Sequence, residues 1–202
     1  MRKILFFAAF MLCTMCPYIA GAAPEVPGDV YKWVQSSARQ DYYYNVQQIC
    51  FVRNADGTVD TNRVTVPVLK IYDELMIHDV VSKRRWNGKS LSGFDDLVGV
   101  AEYLEFDIKS ASVNVRQVDY LDSTLTTIEE CNLQQTIDLK SLSPMSFDAK
   151  FYNAILDYAQ RNQLELAERA SSKLDARFKA RVLAAQKEYI AKHKATSAGT
   201  GA

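Results

Sequence analysis

The sequence predicts one α+β domain: an antiparallel sheet or small sandwich, a closing helix, and a long helical extension. Three observations lead there. From Val30 to about Cys131 the chain is rich in β-branched and aromatic residues with period-two alternation. After Ser143 the apolar period lengthens to that of a helix. The composition, 48% hydrophobic and 24% charged in 202 residues with only 8 Gly and 5 Pro, is that of an ordinary globular chain.

The elements follow in order. Residues 1–22 have the layout of a secretory signal peptide. Arg2 and Lys3 form the basic start, and Ile4 to Cys16 is an apolar run too short to span a bilayer. Pro17 breaks it, and Ala20-Gly21-Ala22 offers small residues for cleavage before Ala23. The rival is an uncleaved anchor, disfavoured by length. Lipidation at Cys13 or Cys16 is disfavoured because Leu12 and Met15, which precede them, are not small. The mature chain carries no other apolar stretch of spanning length, and export to the bacterial periplasm or cell surface is the expectation.

Val30 to Ser36 and Tyr42 to Val52 are the first strand runs. Asp56-Gly57 is a hairpin turn signal. Arg63 to Tyr72 alternates, and Pro67 inside it calls for an edge or a bulge. Residues 82–93, rich in Ser, Gly, Asn and charge, are expected as a long loop. Leu97 to Ile108, Ser112 to Leu121 and a short Thr124 to Ile128 complete the sheet. Ser143 caps the next helix, with Pro144 at its first position, and Phe147, Phe151, Ala154, Ile155 and Tyr158 share one face. The helix is expected at 146–160 and ends the β-rich domain, residues 23–162. Residues 163–194 read as a helical extension striped by Ala167, Ser171, Leu174, Phe178, Val182, Ala185 and Tyr189. The tail, 195–202, is expected to be disordered.

Charge narrows the partners. Basic and acidic residues are equal at 24 each, so no basic excess argues for nucleic acid. The division is uneven: residues 24–149 are net acidic and residues 150–202 net basic. The basic helix could dock on the body or meet an anionic surface, while the favoured expectation is a solvated helix with an ordinary charge mix.

Two cysteines survive cleavage, Cys50 and Cys131. In an oxidising compartment they are expected to pair, closing a loop of about 80 residues for about 4–5 kcal/mol in the chain-entropy picture. The competing expectation is two free thiols.

Catalytic chemistry is sparse. His78 and His193 are the only histidines, and no Gly-x-Ser-x-Gly, Gly-x-Gly-x-x-Gly or phosphate-loop motif occurs. Zinc lacks ligands at workable spacing, and no cofactor is expected. A calcium loop at Asn54-Ala55-Asp56-Gly57 would need carboxylates where Val52 and Arg63 stand. Asp107, Asp119 and Asp122 could meet at a strand end, though turn formation is the commoner role. A carboxylate pair for a hydrolase would draw on Asp95, Asp96, Glu102 and Glu105, with Glu102 and Glu105 on opposite faces of a strand. Two features suit binding. Lys83, Arg84, Arg85 and Trp86 combine cations with an indole, although Trp86 is expected to fold back into the core. Tyr42-Tyr43-Tyr44 place rings on both faces of a strand, for core on one side and stacking or cross-strand pairing on the other.

Trp33 with Ser36-Ser37, Tyr43-Tyr44-Asn45, the valine-rich Val64 to Leu69, Glu105-Phe106-Asp107, and Ser143-Pro144-Met145-Ser146 together resemble small secreted bacterial domains of the surface-adhesin protein E type. The resemblance covers about Tyr31 to Tyr158. It implies an antiparallel β domain outside the cytoplasm, sometimes adhesive, with no catalytic residue to carry over. Asn45 stands where that type has an Asp, the helix lacks a closing cysteine, and residues 163–202 have no counterpart.

The expected function is a non-enzymatic exported envelope protein that binds a protein, surface or glycan partner. The alternatives are a carboxylate-pair hydrolase and a carrier of a small apolar ligand.

Overall fold

The computed structural model describes residues 24–198. The proposed signal segment 1–22 lies outside them. The fold is α+β, and the described residues form seven antiparallel strands and four α-helices.

The strands are β1 (Tyr31–Ser36), β2 (Gln40–Asn45), β3 (Cys50–Arg53), β4 (Val59–Tyr72), β5 (Leu97–Asp107), β6 (Ser112–Asp122) and β7 (Thr127–Asp138). They form one sheet in the order β1-β2-β4-β5-β6-β7, with β3 also on β4. Strand β4 is long enough, at 14 residues, to pair with β3 through Val59 to Thr65 and with β2 through Val68 to Tyr72. Pro67 falls at the seam between those two neighbours, where a missing ladder donor costs least. The Tyr42 to Val52 run is broken because the Asn45 side chain accepts from the N–H groups of Gln47 and Gln48 and turns the chain. Asp56-Gly57 forms the expected hairpin turn, with Gly57 at φ 86°. The last strand is longer than its sequence suggests: it runs through Cys131 to Asp138. As a largely exposed edge it carries no apolar alternation to announce it.

The helices are α1 (Glu74–Trp86), α2 (Phe147–Arg161), α3 (Gln163–Ala170) and α4 (Ala176–Ala198). Ser146, rather than Ser143, caps α2 by accepting from Ala149 N at 3.2 Å. Ser143 instead closes the turn before it. Helix α4 continues to Ala198, so the expected disordered tail is helical over its first four residues; residues 199–202 lie outside the description.

Side-chain alternation gives the sheet two faces. Val64, Val66, Val68, Leu104, Phe106, Val113 and Val115 point to one face, where Phe151, Tyr152, Ile155 and Ala159 of α2 cover them. Leu166 and Ala167 of α3 are fully buried in the same core, and Val182 of α4 is nearly so. Residues after 162 thus contribute Leu166, Ala167 and Val182 to the core beneath the helices. The physical reason is the narrow stripe of the sequence reading: Ala167, Leu174, Phe178 and Val182 do pack. On the opposite face Leu69, Ile71, Ala101 and Leu121 pack with Tyr43, Tyr31 and Val26.

The expected disulfide is not formed. Cys50 and Cys131 are both free thiols. Cys50 stands opposite Thr65 of β4, with Sγ 3.5 Å from Thr65 Oγ1, on the face away from the helices. Cys131 stands opposite Val118 of β6, which joins the helix-covered core. Four strand spacings separate them, roughly 19 Å at about 4.8 Å each, whereas a bridge tolerates a Cα separation of about 7 Å at most.

Candidate binding site at the end of α1

The stretch expected as a loop is helical through Trp86. Asp73 caps α1, its carboxylate accepting from Met76 N at 2.7 Å. Glu74 in the first turn and Lys83, Arg84 and Arg85 in the last complement the helix dipole. Asn87 and Gly88, the latter at φ 64°, end the helix. The overlooked signal was Ile77, Val80, Val81 and Arg84, spaced at i, i+3, i+4 and i+7. An arginine at the last of these positions conceals the pattern.

Arg84 is the one buried residue of α1. Its guanidinium grips the Glu129 carboxylate of β7 with two donors, Nη1 to Oε1 measuring 3.1 Å. Nε and Nη2 also donate to the Ser90 carbonyl at 3.2 and 3.0 Å. The group lies 3.8 Å from the Phe94 ring centroid and 5.6 Å from that of Tyr120. The hydrogen bond from Arg84 holds the Glu129 carboxyl below the ordinary carboxylate range. Cys131 donates to Glu129 Oε1 at 3.4 Å. Burial, reinforced by that carboxylate, pushes the Cys131 thiol up, so the reactive thiolate is disfavoured.

The four residues singled out from the sequence therefore divide. Arg84 is internal and closes α1 onto β7 and the following turn. Lys83, Arg85 and Trp86 are exposed. Trp86 does not return to the core: it is 91% exposed. No ion pair or ring contact joins Lys83, Arg85 or Trp86 to another described residue. Because Arg84 takes the inward side of this last turn, the i+2 position, Trp86, is turned outward. Trp33, the other tryptophan, is also 54% exposed, on the opposite face of the sheet.

The remaining candidates are dispersed. Tyr42 and Tyr44 are buried under α2 and Tyr43 takes the other face. His78 is exposed on α1, and His193 stacks on Tyr189 at the end of α4. Asp107 and Asp122 stand at opposite ends of β6's partnership with β5, and Asp119 accepts from Gln117 between them. Glu105 pairs with Arg63 and Arg116 on the open face. Glu102 pairs with Lys70 on the covered face at 2.7 Å, both side chains being nearly buried. Its Oε2 has no hydrogen-bond partner among the described residues. Asp95 and Asp96 share a cleft of about 450 Å³ with Asp73 and Glu74, over a floor that includes Ile71, Ile77 and Leu97. Asp96 is tied to Ser123, and Asp73 to Arg39.

Comparison with known proteins yields no matching family model, no matching curated protein and no matching solved structure. Among the described residues no helix is long and apolar enough to cross a membrane.

Proposed function

We propose that this chain is a non-enzymatic, exported bacterial envelope protein, a binding module that engages its partner through the end of α1. One observation carries the reading: a buried arginine fastens the helix while the indole two residues later is 91% exposed. Tryptophan is usually well buried, and an exposed one flanked by cations is the composition of an interaction hot spot. Export rests on the signal-like residues 1–22, and the resemblance to surface-adhesin protein E domains points the same way.

The hydrolase alternative has its best place at the cleft of Glu74 and Asp95, and the apolar-carrier alternative at the same floor. Both carboxylates are exposed. A general acid needs dry surroundings that keep its proton on near neutral pH, so the binding reading stands ahead.

The test is a photo-crosslinking residue placed at position 86 in the native host, with position 145 as control, since Met145 is also exposed, at 76%. An envelope adduct from position 86 and none from 145 is the expected result. Equal labelling from both, or none, would overturn the proposal.

A further inference from the structure

One residue on from Trp86, Asn87 joins Val80, Lys83, Arg84, Lys89 and Tyr120 in lining a small cleft of about 250 Å³. Its charge is positive. Glu129 already neutralises Arg84, so the surplus comes from Lys83 and Lys89. Lys83 has no ion-pair partner among the described residues, and Lys89 acts on Glu129 only through space. The helix end itself contributes partial negative charge, but its last carbonyls are taken. Asn87 N, Gly88 N and Lys89 N donate to Lys83 O, Arg85 O and Arg84 O. Lys83, Lys89 and Asn87 thus line one space together with the apolar Val80 and the Tyr120 ring.

That arrangement fits a phosphate group attached to a short carbon chain. Lys83 lies three residues before Trp86 and so shares its side of the helix. A free phosphate would gain nothing from an indole held out in solvent. A phospholipid would, because tryptophan settles at the boundary between headgroups and acyl chains. Resting on the reading of this corner as the binding surface, we propose that it docks the protein on an anionic phospholipid leaflet. The cleft takes the phosphate headgroup, and Trp86 enters the interface. Cations and one aromatic anchor give reversible attachment, not insertion.

The test uses the chain from Ala23 onward, because the apolar run before it would bind lipid by itself. Trp33→Phe leaves Trp86 as the reporter. With phosphatidylcholine vesicles containing about one-third phosphatidylglycerol, Trp86 emission should shift to the blue and the protein should co-sediment; phosphatidylcholine alone should do neither. The Lys83→Gln, Lys89→Gln double variant should bind about thirtyfold more weakly, at roughly fivefold per cation. Binding that ignores anionic lipid, or that survives the double variant, would overturn the proposal. So would glycerol phosphate causing the same shift with no vesicle attachment, which would make this a site for a free phosphate. If vesicles fail while position 86 still crosslinks to a protein, the lipid assignment falls and the binding module stands. If both fail, both fall.

Discussion

The helix-covered face of the sheet is closed in two different ways. At one end α2, α3 and α4 lay Phe151, Ile155, Leu166 and Val182 onto the valines of β4 and the aromatics of β2 and β5. At the other end α1 buries a single residue, Arg84, and holds on by ion pairing and cation–π contact. Apolar burial is worth about 1.5–3 kcal/mol per large side chain, while a partly exposed ion pair contributes far less. One end is therefore the source of stability. The other is a directional clamp that fixes where a helix points, and it leaves Lys83, Arg85 and Trp86 to solvent.

The comparison breaks first at the apolar end. Phe151→Ala should cost about 3–5 kcal/mol, read as a large fall in the urea midpoint, and a fall below about 1 kcal/mol would show that α2 does not carry the fold. Deleting residues 163–198 should likewise abolish cooperative unfolding, since Leu166 and Ala167 are fully buried. Arg84→Ala should cost less, about 1–3 kcal/mol. Its loss should appear as faster hydrogen exchange in α1 while α2 stays protected; equal acceleration in both would merge the two regions into one unit.

A smaller effect comes from pH. Arg84 holds Glu129 low, so the clamp's contribution is intact above the ordinary glutamate pKa of about 4.3 and is lost as pH falls through the lower folded value. The protection of α1 amides, measured against the intrinsic exchange rate at each pH, should therefore fall below about pH 4, and the Glu129→Gln variant should lose that pH dependence. The smallest effect is redox: thiol titration of the denatured, unreduced chain from Ala23 onward should find two free cysteines, Cys50 and Cys131, and reductant should leave the melting temperature unchanged. A titration finding none would restore the disulfide.

The same contrast explains what the sequence disclosed. The valine alternation of β4 and the Phe147 to Tyr158 stripe of α2 were legible because burial there is apolar and periodic. Helix α1 was hidden because its inward anchor is an arginine set in a run of charged and small residues. Strand β7 was shortened because an exposed edge has no need of a buried face. Leu166 and Val182 sit on a stripe thinned by Ala and Ser, and small contact residues permit close packing without advertising it. The four-residue cluster at 83–86 was found as a cluster, but its division into one buried and three exposed side chains depends on helix phase, which only the α1 geometry supplies.

The central claim is that Trp86 is held out by the fold and contributes nothing to it. Urea denaturation of Trp86→Ala beside the parent chain tests this most directly. The account predicts unfolding free energies equal within about 0.5 kcal/mol, as for an exposed side chain without partners. A loss of more than about 2 kcal/mol would show the indole packed in the folded protein and would contradict it.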